Sequence, residues 1–297
     1  MEPCAFDKLY TRNVPHILEK IFFSLDYKSF KTCLNVNETW HKLLSSEAFQ
    51  KRAKSVFHEE ISNDEKNLWN AASKNNVEKV MSLLSTGLLN INVVNRSWNT
   101  TPLHIAAKNG HKNIVKLLLE RGARHDKPDN FAWYPLHRAA QSMKPHNQSR
   151  QKDVVQMLLN AGAHIDQKNH CGATVLHIAA SCGGKDMVRL LLDRGANPNT
   201  ANDEGFTPLQ QAALEGQIDV NKLLLERGAD PHRANNYGNT PLHYAATLNR
   251  KEVVKLLIEN GADVNAADRH GHSPLHRARE KDVFQLLIDN GADPSMA

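Results

Sequence analysis

NNYGNTPLHYAATLNRKEVVKLLIENGA, residues Asn235 to Ala262, holds the local rule from which most of this chain is built. Thr240 can cap free N–H groups at a helix start, and Pro241 loses no hydrogen bond at the first helical position. Leu242, Ala245 and Ala246 give that short helix one slim apolar face, so another helix can approach closely. A second helix follows, with Val253, Leu256, Leu257 and Ile258 at helical spacing. Gly261 ends it in the left-handed region. The preceding NNYGN has turn chemistry, with Gly238 where a positive φ is needed. Neither helix can bury its apolar face alone, so such units must stack on one another.

The rule recurs in both directions. TPLH (Thr101–His104), YPLH (Tyr134–His137), TVLH (Thr174–His177), TPLQ (Thr207–Gln210), TPLH (Thr240–His243) and SPLH (Ser273–His276) start 33, 40, 33, 33 and 33 residues apart. Each leads to an apolar run and a glycine, as in LLLERGA or LLIENGA. From the fourth residue of the word to that glycine is 18 residues for His104, His177, Gln210 and His243. Trp69 to Gly87 fits the same ruler in a worn copy, which makes seven units. The third unit carries seven extra residues around Gln141–Asp153, and the last is three residues shorter, with Arg279 where the others have a second alanine. A polar residue there suits a terminal unit that faces water.

D/N-x-x-G-x-T-P-L-H-x-A-A followed by V-x-x-L-L-L-x-x-G-A, in register from about Asn63 to Ala297, resembles the ankyrin-repeat family. The resemblance implies helix-turn-helix units joined by short β-hairpin-like loops. It also implies that the word's histidines bond nearby backbone and the capping hydroxyl.

Ahead of the array, Ile17, Leu18, Ile21, Phe22 and Leu25 form one broad apolar helical face. Asp26 can cap a second helix holding Phe30, Cys33 and Leu34, and Asn37 a third holding Trp40, Leu43 and Leu44. Periodicity alone reads these helices as a cap on the first unit. The residues VPHILEKIFFSLDYKSFKTCLNVNETWHKLL, however, resemble the F-box, the adaptor-binding module of Skp–cullin–F-box ubiquitin ligases. Pro15 stands six residues before Ile21, where that family usually has seven, and Val14 replaces the usual Leu. By this resemblance Val14, Pro15, Ile17, Leu18, Ile21, Phe22 and Leu25 meet the Skp adaptor. Trp40 belongs to the same set and, with Phe30, shapes the module.

The rest of the sequence argues against other classes. With 37 basic and 32 acidic residues the net charge is +5, and no block of like charge points to nucleic acid or an anionic membrane. No run approaches the roughly 18 apolar residues a membrane span needs, and the N-terminal residues do not read as a secretory signal. Cys4, Cys33, Cys171 and Cys182 have no paired spacing and read as reduced thiols of a cytoplasmic or nuclear protein. His270, His272 and His276 invite a metal reading, but no carboxylate or thiolate completes a site, so no cofactor or metal is expected. SCGGKD (Ser181–Asp186) lacks the spacing of a phosphate loop. No nucleophile with a placed base is recognisable.

The ankyrin resemblance implies that hairpin tips and inner-helix ends form a concave ladder whose residues are free of the repeats' own packing. Aromatic residues make up 6% of the chain, yet Trp98, Phe131, Trp133, Phe206 and Tyr237 stand at tip positions. Aromatic side chains bury large area at little entropic cost, so the tips are the candidate target site, centred on Trp98, Phe131 and Trp133. The expected protein is therefore all-α and non-catalytic. An F-box-like module spans residues 10–60, and a polar link runs around Phe57–Asn67. An array spans residues 63–297. Its expected partners are a Skp adaptor, through it a cullin–RING ligase, and an unidentified target protein. The rival is an ankyrin scaffold whose first helices only cap the array.

Overall fold

The computed structural model describes residues 23, 25–33, 46–85, 87–141 and 148–296. Among them every regular element is helical. Among the described residues, two helices with described bounds precede the array: α1 (Tyr27–Cys33) and α2 (Glu47–Val56). Seven antiparallel pairs then stack in chain order. They are α3 (His58–Ser73) with α4 (Val77–Leu84), α5 (Pro102–Lys108) with α6 (Lys112–Glu120), and α7 (Pro135–Gln141) with α8 (Gln148–Asn160). Next come α9 (Val175–Ser181) with α10 (Lys185–Asp193), and α11 (Pro208–Glu215) with α12 (Ile218–Glu226). The last two pairs are α13 (Pro241–Thr247) with α14 (Lys251–Glu259) and α15 (Pro274–Arg277) with α16 (Lys281–Asp289).

The word in the sequence does what its residues dictate. Thr101, Thr174, Thr207, Thr240 and Ser273 each cap a first helix in a reciprocal box with the residue three positions on. Leu103, Ala106 and Ala107, and their counterparts in the third to sixth units, are buried and merge into one apolar core running from Leu68 to Ala292. The loops form no strands, but their tips are tied unit to unit. Asn130, His170, Asp203, Asn236 and Arg269 donate backbone N–H groups to the carbonyls of Trp98, Phe131, Cys171, Glu204 and Tyr237. Gly238 shows why the tips need glycine: its φ is +81°, and an added Cβ would lie 2.6 Å from the amide nitrogen of Arg269. Gly238→Ala is expected to cost more than about 1 kcal/mol and to lower the urea midpoint of the array.

Two features depart from the sequence reading. Phe57–Asn67, expected to be a polar link, is almost wholly helix: α3 begins at His58 and runs for 16 residues. The reason is local. Where five of the other six units have proline at the first helical position, this one has Asn67, so nothing breaks the helix upstream. The third-unit insertion is also partly helical, since α8 has 13 residues where α6 and α10 have nine. Its buried Gln151 donates from Nε2 to the Lys108 carbonyl at the end of α5, at 2.7 Å.

The long α3 joins two cores. Its first half buries Ile61 with Phe30, Phe49, Ala53, Phe57 and Leu88, and Phe23, Leu25, Tyr27 and Leu89 pack around them. The Phe30 and Phe57 ring centroids are 4.7 Å apart. Its second half buries Leu68, Ala71 and Ala72 in the array. Asp64, between the two, accepts from Tyr27 Oη at 3.1 Å and Lys31 Nζ at 2.7 Å. Burial, with the Asp64 carboxylate beside it, pushes the Tyr27 hydroxyl pKa well up. Asp26 caps α1 by accepting the Ser29 amide at 2.8 Å, as its sequence position suggests.

Candidate functional site

The first three units carry a cleft of about 580 Å³ between them. Its apolar walls are Trp69 from α3, Ile105 from α5, and Trp98, Phe131 and Trp133 from two hairpin tips. Each tip is fixed by one polar side chain. Asn95 Oδ1 accepts the amides of Trp98 and Thr100 at 3.2 and 3.1 Å. Asp129, almost fully buried, accepts the amides of Phe131 and Trp133 at 2.9 and 3.0 Å. Asp129 also pairs with Arg138, whose guanidinium lies over the Trp133 ring at 4.7 Å from its centroid.

The repeated histidines hold these pieces in register. His104 Nδ1 accepts the Thr101 amide at 3.1 Å, which leaves the proton on Nε2 to be donated across to the Trp133 carbonyl at 3.0 Å. His137 repeats the arrangement with the Tyr134 amide and Gln167 carbonyl, His177 with Thr174 and Phe206, and His243 with Thr240 and His272. Gln210 does the same by another route, with Oε1 accepting the Thr207 amide and Nε2 donating to the Arg233 and Asn239 carbonyls. Burial disfavours the charged imidazole, so the pKa values of His104, His137 and His177 fall to about 4, and that of His243 is also lowered. These groups position backbone; they are not poised for proton transfer near neutral pH.

Trp98, Phe131 and Trp133, anticipated from their tip positions, come together in the cleft. Trp98 is 53% and Phe131 39% exposed, with ring centroids 5.7 Å apart. His170 continues the stack on Phe131 at 5.5 Å and shares a hydrogen bond with the Phe131 carbonyl through Nδ1. Phe206 and Tyr237 do not join them. Phe206 is half-buried against Tyr244, and Tyr237 stands exposed on its own tip. Trp69, Lys108 and Arg138 were not anticipated as part of the site. Trp69 had a visible signal, because it occupies the histidine position of the word in the first unit. An indole N–H can donate but cannot accept a capping amide, and Trp69 Nε1 is shielded from water with no hydrogen-bond partner.

At the other end of the chain, Leu25 is half-buried against the aromatic cluster, and Phe30 is fully buried within it. Val14, Pro15, Ile17, Leu18, Ile21, Phe22 and Trp40 lie outside the described residues. The glycine-rich turn Ser181–Asp186 joins α9 to α10, and Lys185 there pairs with Asp219 at 2.8 Å. His276 Nδ1 accepts the Ser273 amide at 3.0 Å. Cys171 and Cys182 are free thiols. No described helix is long and apolar enough to cross a membrane.

Known proteins resemble this one over the stacked units. The family model for ankyrin repeats (3 copies) matches residues 68–169, 147–235 and 229–297. The ankyrin repeat domain of human ASB11 superposes with a TM-score of 0.67 at 29% identity, covering 76% of this chain and 98% of that one. The ankyrin repeat domain of Bcl-3 gives 0.63 at 27% identity, covering 74% and 97%. Among curated proteins, E3 ubiquitin-protein ligase KEG of Arabidopsis thaliana is 38% identical over 108 residues, 36% of this chain but 6% of that protein. Ankyrin repeat and SOCS box protein 3 of Homo sapiens is 37% identical over 82 residues, 27% of this chain and 14% of its own length. These curated matches thus span small parts of their relatives.

Proposed function

Because this chain belongs to the ankyrin-repeat family, whose arrays bind protein partners, we propose that it recruits a target protein to a Skp–cullin–F-box ubiquitin ligase. The observation that carries the reading is one of arrangement. An F-box-like run, Val14 to Trp40, precedes an array that presents an aromatic cleft in its first three units. In the described part of that run, the Asp26-capped α1 and the buried Phe30 fit the role of shaping a small helical module. The names of two relatives, an E3 ubiquitin-protein ligase and a SOCS box protein, are compatible with the same pathway.

Such a receptor needs two binding faces and no reactive centre. Holding a target beside a conjugating enzyme makes transfer effectively intramolecular. In this reading residues 10–60 dock on the Skp adaptor and residues 63–297 hold the target, in the cytoplasm or nucleus. Trp98, Phe131 and Trp133 anchor it, and Phe206 and Tyr237 offer contacts further along the array. The second reading, an ankyrin scaffold with an N-terminal cap, draws support from the way α1 and α2 pack on α3 and share Leu88 with it.

Calorimetric titration of purified Skp adaptor into the chain separates the two. Tight binding is expected, and Leu18→Asp with Phe22→Asp should abolish it while circular dichroism shows an intact array. A folded wild-type chain that binds no adaptor refutes the ligase role and leaves the scaffold.

A further inference from the structure

The chemistry of the cleft restricts what it can hold. Four aromatic rings would suit a cationic side chain if the walls carried acid. They do not: the residues lining the cleft include Lys108 and Arg138 and no carboxylate. Arg138 already occupies one face of Trp133. A second cleft continues from the first, sharing Trp69 and Asn95 with it, and adds Lys66, Arg96 and Glu65. Glu65 Oε1 accepts the Asn90 amide, and Asp129 is committed to Arg138 and to two tip amides. Lys66, Arg96 and Lys108, by contrast, have no acidic partner among the described residues.

Aromatic surface and surplus positive charge ask for one kind of occupant. We propose that the cleft takes an acidic segment of the target protein, with an aromatic or large aliphatic side chain among Trp69, Trp98, Phe131 and Trp133 and flanking carboxylates facing Lys108, Lys66 and Arg96. This rests on the reading of the array as the target-holding part and names the chemistry of that target. Apolar anchors supply most of the affinity of such a contact, while the charges set selectivity and association rate.

A random-peptide display library, selected on the full chain, tests it. Enriched peptides should carry an aromatic or large aliphatic residue flanked by Asp or Glu, and their binding should weaken between roughly 0.05 M and 0.5 M salt. Trp98→Ala should weaken a selected peptide about thirtyfold and Lys108→Glu roughly tenfold. Both side chains are exposed, so circular dichroism should be unchanged. Basic or uncharged enriched peptides overturn the proposal. So does binding that survives both substitutions, or a library that yields no binder. The result is separable from the ligase reading: adaptor binding that persists while acid selectivity fails refutes the cleft chemistry alone. Acid selectivity without adaptor binding refutes the ligase role alone.

Discussion

Acidification from pH 6.5 to 4 is expected to unfold the array, and replacing three histidines by glutamine to remove much of that sensitivity. His104, His137 and His177 are buried as neutral rings, each accepting an amide at Nδ1 and donating from Nε2 to the next unit. Their folded pKa values of about 4 lie below the ordinary 6.5. Between those values the unfolded chain binds more protons than the folded one. The stability these groups confer is therefore present above pH 6.5 and is lost as pH falls towards 4. Each shift corresponds to roughly 3 kcal/mol at its limit, and three such losses rival the whole stability of a typical domain, about 5–15 kcal/mol.

Gln210 shows that an uncharged amide can fill this position with both hydrogen bonds made. In a chain carrying His104→Gln, His137→Gln and His177→Gln, the acid midpoint followed by circular dichroism should move down by about one pH unit. Some sensitivity should remain. Asp268 is buried, which opposes its charge, yet Arg277 and the amides of His270 and His272 hold its carboxyl pKa far below the usual range, so strong acid still costs stability. Superimposable acid profiles for the two proteins would show that the histidines do not govern acid unfolding.

Asn67→Pro is expected to separate the two cores that α3 joins. The residue lies inside a continuous 16-residue helix. There a proline removes one backbone bond and its ring clashes with the carbonyl four residues earlier, at a cost of about 3 kcal/mol. The same position in the second to seventh units is the first residue of a helix, and all but the fourth have proline there. The array should therefore tolerate the change, its later units melting as before. The Phe30–Phe49–Phe57 cluster should lose near-ultraviolet dichroism and become open to proteolysis. An unchanged aromatic signal would mean that the cluster holds itself together without the intact α3.

The array was legible because its information is local and repeated. Capped starts, paired alanines and terminal glycines specify most units from within about 33 residues, and seven copies remove ambiguity of register. The link was misread for the converse reason. His58 to Asn67 is strongly polar and has no start signal, but Ile61 and Leu68 lie seven residues apart on one face, and each is buried in a different core. The cleft was legible by half. Trp98, Phe131 and Trp133 could be found from their offset to a turn, whereas Lys108 and Arg138 reach it from helix faces whose direction depends on stacking. Phe206 shares the tip offset but has Tyr244 to pack against, a partner that a single unit's pattern does not reveal.

Amide hydrogen exchange on the full chain, alone and with saturating Skp adaptor, tests most directly the claim that one end of this protein docks on a ligase while the other stays free for a target. Protection is expected to rise within residues 13–40 and to stay unchanged at the tips carrying Trp98, Phe131 and Trp133. Adaptor-dependent protection at those tips, or none within residues 13–40, would contradict it.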